Sequence, residues 1–133
     1  MRRASRFLLI AAEKFGKARR LAADPGVDVL MNRFNTARRK RAREVFPDAA
    51  KTRTPIVAFT ATRWGTLLEP YADWPGPPPT ATDCYRYCLS EPAVHVVLTA
   101  PRSLAGLEQN SDVLELIAAA RERISLWGAW MPD

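Results

Sequence analysis

The order in which apolar segments recur constrains this chain more than any single residue does. Short, near-continuous apolar runs alternate with helix-compatible stretches four times along 133 residues. The first run, Arg6 to Ala11, has the pattern of a strand covered on both faces. Lys14 to Asp24 is rich in Ala, Lys, Arg and Leu, favours helix, and ends at Pro25-Gly26. Val27 to Phe34 reads as a second strand, followed by a very basic helical stretch from Thr36 to Val45 that Pro47 should stop. Pro55 to Thr60 is a third strand. A loop from Leu68 to Ala81 then carries Pro70, Pro75, Pro77, Pro78 and Pro79. Thr80 with Asp83 gives a capping-box-like start to a helix through Leu89. Pro92 introduces a fourth strand, Ala93 to Thr99. A last helical stretch runs from Leu104 to about Ile124, with Leu107, Leu114, Ile117 and Ile124 spaced to share one face.

Alternation of this kind implies parallel strands joined by right-handed crossovers. Two architectures satisfy it: a small open α/β sheet, or four units of a (β/α)8 barrel. A complete barrel needs ~250 residues, so the chain holds about half of one. It is long enough for one domain with a core and too short for two. No apolar run approaches the ~20 residues that span a bilayer. Two arginines precede a short apolar stretch at the N-terminus, but Glu13 and Lys14 interrupt it too early for a secretory signal. The expected location is cytoplasmic.

Cys84 and Cys88 lie four apart in a helical stretch and so share a face. They are either two packed core side chains or half of a metal set completed elsewhere, and a reduced compartment favours packing. His95 is the one histidine, sits in an apolar strand run without metal-ligand spacing, and reads as a core or edge residue. Arg38 to Arg43 places five positive charges in six residues, within a net charge of +6. Such a cluster suits a polyanion or nucleic acid. No aromatic interleaving accompanies it, and a solvated helix face is the simpler expectation.

Six stretches carry a resemblance: Asp28 to Asn35, Glu44 to Pro47, Val57 to Leu68, Cys84 to Val94, Leu98 to Ser103 and Leu107 to Asn110. Their order resembles the C-terminal half of aldo-keto reductases, barrel strands 5 to 8 with their helices. The resemblance covers nearly the whole chain and implies a single incomplete domain, half of a TIM barrel, derived from an NADP-dependent oxidoreductase.

It also implies roles. Phe59 stands where the family stacks an aromatic ring on the nicotinamide. Thr60, Thr62 and Gly65 stand where it binds the pyrophosphate. Arg102 and Ser103 correspond to the adenosine phosphate site. Gln109 and Asn110 replace the family's Glu-Asn pair that reads adenine. Chemistry agrees with this placement, because parallel α/β barrels put ligands at strand C-terminal ends and helix N-termini attract phosphate.

Departures are concentrated at the reactive end. Where the family has a Ser-Asn or Ser-Ser pair for the carboxamide, this chain has Ile10 to Glu13, and Met31 replaces a usual Gln. The adenosine end is therefore the better matched. The family's catalytic Tyr, Lys, Asp and His all belong to the first half of the barrel. Tyr71, Tyr85, Tyr87 and His95 do not assemble a substitute, so the expectation is that the chain alone is not catalytic. An uncovered half barrel should self-associate or pair with a separately encoded N-terminal half. Leu126 to Met131 adds aromatic side chains for such surfaces.

Overall fold

A computed structural model describes residues 8–12 and 14–114. Four strands, β1 (Leu9–Ala12), β2 (Val29–Arg33), β3 (Ile56–Phe59) and β4 (Val94–Val97), form one sheet in sequential order. Every neighbouring pair is parallel. The helices α1 (Phe15–Ala22), α2 (Arg39–Thr52), α3 (Ala81–Leu89) and α4 (Leu104–Ser111) follow one strand each. The fold is thus four strand-helix units, as the alternation predicts.

Strand pleating sorts the side chains. Ala12, Leu30, Ile56, Ala58 and Val94 are buried together with Ala18, Ala22, Ala42, Val45, Phe46, Ala49, Tyr87 and Cys88 from the helices. By alternation and register, Leu9, Val29, Met31, Arg33, Val57, Phe59 and Val96 share the opposite face. Phe34 anchors the core: its ring meets Phe46 edge-on at 5.3 Å and stacks on Tyr87 at 5.5 Å. A smaller cluster of Ala37, Leu67 and Cys84 holds Leu68, Tyr71 and Trp74, which seats the proline-rich loop.

Two boundaries differ from expectation. Pro47 does not stop its helix; α2 runs five residues beyond it to Thr52. Pro47 is exposed, so water can serve the carbonyl that its missing N–H leaves. The helix ends instead at Arg53, whose left-handed conformation (φ 58°) lets its N–H turn back on Ala50. The last α-helix closes at Ser111 and a 3-10 turn, Asp112–Leu114, follows. Leu107 is 47% and Leu114 77% exposed, so they do not form a buried stripe with one another. Arg6, Phe7, Glu13, Ile117, Ile124 and Leu126 to Met131 lie outside the described residues.

Candidate functional site

Parallel strands deliver three loops to the C-terminal end of the sheet, those following β2, β3 and β4. The first is built by Asn35. Its Oδ1 accepts from the N–H groups of Ala37 and Arg38 at 3.1 and 3.0 Å. Its Nδ2 donates to the Thr60 carbonyl at 2.9 Å. One buried amide therefore starts the turn after β2 and pins the turn after β3.

That second turn is conformationally unusual. Thr60 (φ 59°), Arg63 (φ 52°), Trp64 (φ 54°) and Gly65 (φ 87°) all occupy the left-handed region. For β-branched Thr60 this is a costly conformation. Two donors aimed at its carbonyl, Asn35 Nδ2 and the Arg63 N–H at 3.0 Å, hold it there. Gly65 needs its glycine for φ alone, since an added Cβ would meet nothing within 4 Å. Its N–H turns inward to the Thr62 carbonyl and hydroxyl, at 3.1 and 3.3 Å. Thr60 Oγ1 is enclosed and has no hydrogen-bond partner among the described residues.

Phe59, half-buried, closes β3 on the uncovered face of the sheet. Arg33, its register partner on β2, lays its guanidinium 5.9 Å from the Phe59 ring centre and 4.8 Å from that of Trp64. Both distances are within cation–π range. Trp64 is 69% exposed. Arg33, Asn35 and Trp64 were not singled out by sequence motif. Period-two spacing from Met31 does place Arg33 on the face of β2 away from the helices, and that signal was available.

The third loop leads into α4. Ser103 caps it, its Oγ accepting from the Gly106 N–H at 3.1 Å. Arg102 and Ser103 are exposed, and the first turn of α4 carries no acidic side chain. The positive end of the helix dipole is thus left uncompensated beside a guanidinium. Gln109 presents an exposed side chain. Asn110 is buried and donates from Nδ2 to Thr99 Oγ1 at 2.7 Å, which ties α4 to the loop before it. Of the eight candidate residues, Phe59 ends β3, Thr60, Thr62 and Gly65 form the turn after it, Arg102 and Ser103 lead from β4 into α4, and Gln109 and Asn110 lie in the last turn of α4.

Other candidates resolve locally. Cys84 and Cys88 are buried and unlinked in α3, and Cys88 Sγ donates to the Phe34 carbonyl at 3.3 Å. Burial pushes the Cys84 thiol up to about 12, and burial raises that of Cys88 as well. Among the described residues no group of three or more His, Cys, Asp or Glu is arranged to hold a metal ion. Tyr87 lies in the core, and burial raises its hydroxyl above the ordinary tyrosine value. His95 is an exposed strand residue at a register shift, its Nδ1 accepting from the Ile56 N–H at 3.3 Å. In the basic cluster Arg43 is paired with Glu91 at 3.2 Å. Among the described residues no helix is long and apolar enough to cross a membrane.

No protein-family model matches the chain, and no curated protein does. Among solved structures it is similar to the holo form of the aldo-keto reductase AKR11C1 from Bacillus halodurans, with a TM-score of 0.71 at 17% identity. The match takes in 96% of this chain and 51% of that one, so this chain spans about half its length. The fold is that of part of an aldo-keto reductase barrel.

Proposed function

We propose that this chain is the dinucleotide-binding half of an aldo-keto reductase barrel, the C-terminal half, and that it grips NADP(H) by the phosphate–adenosine end. The observation that carries the reading is that Arg102 and the start of α4, with no acidic side chain in its first turn, follow β4, while the strained Thr60–Gly65 turn follows its parallel neighbour β3, so both loops leave the same end of the sheet. Arg102 supplies a guanidinium fork for a phosphate, which favours the 2′-phosphate of NADP(H) over NAD(H). Ser103 holds the helix start in place. Gln109 faces solvent, where it can meet an adenine edge. Thr60 Oγ1 is a polar atom that a small movement of its turn would bring to a phosphate oxygen, and Thr62 and Gly65 set the shape of that turn.

The nicotinamide end fits less well. Ala11, Ala12 and Met31 offer no side-chain hydrogen bond to a carboxamide, and Arg33 already lies over Phe59. A bound nicotinamide supplies hydride-transfer chemistry, while the protein must orient the substrate and provide a proton. Phe59 gives a stacking surface, and nothing assigned to this chain provides the proton donor. Binding without turnover is the function that follows.

Titration of NADPH fluorescence tests this directly, with 2′,5′-ADP and nicotinamide mononucleotide as competitors. NADPH should bind and 2′,5′-ADP should displace it, whereas the mononucleotide should not. Arg102→Ala should weaken NADPH at least tenfold, about 1.4 kcal/mol. No binding of NADPH or 2′,5′-ADP at millimolar concentration would sink the reading.

A further inference from the structure

The exposed apolar side chains of the described sheet are gathered at its two free edges. On β1 and the residue before it, Leu8 is 44% and Leu9 47% exposed. On β4 and the residue after it, Val96 is 48% and Leu98 46% exposed. Beside the β4 edge, α4 packs mainly on α3 and the following 3-10 turn and leaves Leu104 and Leu107 at 71% and 47%. A crossover helix normally lies over its own strand and the next one. Among the described residues no strand follows α4, and its exposed leucines mark the place such a strand would take. An open strand edge flanked by apolar surface is a template for another strand.

We propose that this place is taken by β1 of a second copy of the chain, so that two copies close one eight-stranded parallel barrel. Three features favour a second copy. The two edges run in the same direction, since all neighbouring strands are parallel. Rotation by 180° about the barrel axis preserves strand direction, so β4 of each copy meets β1 of the other in two identical seams. Four strands are half the number at which inward side chains just fill a barrel.

The same symmetry completes the uncovered face. Leu9, Val29, Met31, Val57, Phe59 and Val96 of one copy would pack against their equivalents. Arg33, the one charged residue described on that face, lies at the last position of β2 and is held at the barrel mouth over Phe59 and Trp64. Each α4 would lie over the seam and cover Leu104 and Leu107. Assembly does not depend on nucleotide binding, so either proposal can fail without the other.

Sedimentation equilibrium of the purified chain should give twice 14.9 kDa at tens of micromolar. Val96→Lys and Leu98→Lys, both at exposed positions, should keep the circular dichroism of the parent and raise the dimer Kd at least tenfold. Lys51→Ala, on the outer surface, should not. Single-cysteine variants Leu9→Cys and Val96→Cys, distinguished by a mass tag and mixed with a short bismaleimide, should give mainly the mixed cross-link, because the native thiols are buried. A monomer at 100 µM, an open series of higher oligomers, a dimer indifferent to Val96→Lys and Leu98→Lys, or a predominance of Leu9–Leu9 cross-links would each overturn the proposal.

Discussion

The central strands β2 and β3 and the outer strands β1 and β4 have similar lengths and similar apolar content, yet they stand in different environments. On the face away from the helices, Val29, Met31 and Val57 of the central strands are half-buried. Leu9 and Val96 are close to half exposed. Hydrophobicity is equal; covering is not. A central strand has a neighbour on each side and a complete helical layer on one face, whereas an outer strand lacks one neighbour and part of that layer. The comparison teaches that the chain carries a core in its middle and exposed apolar surface at the two edges of its described sheet.

Truncation in the middle should have the largest effect. Phe34→Ala removes the ring that meets Phe46 and Tyr87 and should cost about 3–5 kcal/mol in urea denaturation. Val96→Ala should cost less than about 1 kcal/mol in the isolated chain. Equal losses would break the distinction between centre and edge. Asn35→Ala removes a cap and the clamp on the Thr60 carbonyl together, and about 2–3 kcal/mol should be lost. A cost below about 1 kcal/mol would show that the turn after β3 holds its left-handed residues without that amide.

The buried thiols sharpen the same contrast through pH. Their folded-state values lie above those of the unfolded chain, so the stabilisation is complete below about pH 9 and is lost as pH rises toward the folded values. Each thiol should remove about 1.4 kcal/mol per pH unit above about pH 9. Cys84→Ala should flatten that slope in a series of melts from pH 8 to 10.5. The smallest effect concerns helix starts. Thr80→Ala breaks the reciprocal capping box of α3 and should cost about 1 kcal/mol, while Ser103→Ala on the half-covered α4 should cost about half of that.

Much of this architecture is legible in the sequence because its signals are local. Apolar runs of strand length, helix-prone intervals and the Thr80–Asp83 box each depend on a few adjacent residues, and each appears in place. Pro47 misled because its effect depends on exposure, which is not a local property. Among the described residues the α-helix from Leu104 ends at Ser111 and passes into a 3-10 turn, with Leu107 and Leu114 both exposed, so spacing alone did not say whether those two leucines would be covered. The candidate site divides in the same way. Phe59, Thr60, Thr62, Gly65, Arg102, Ser103, Gln109 and Asn110 can be named by order along the chain. Arg33 and Asn35 act through residues more than 20 positions away, and no motif announces such contacts.

The sequence by itself determined the strand-helix order, and with it parallel pairing and the end of the sheet at which the strand-to-helix loops gather, because a strand's crossover and direction follow from local pattern and chain chirality. Only the tertiary structure decided which apolar side chains are covered. It also decided that one buried amide supports two loops and that the left-handed turn after β3 stands beside Arg33. Burial is a property of what surrounds a residue, and a chain holding half the strands of a barrel surrounds its middle and leaves its edges open.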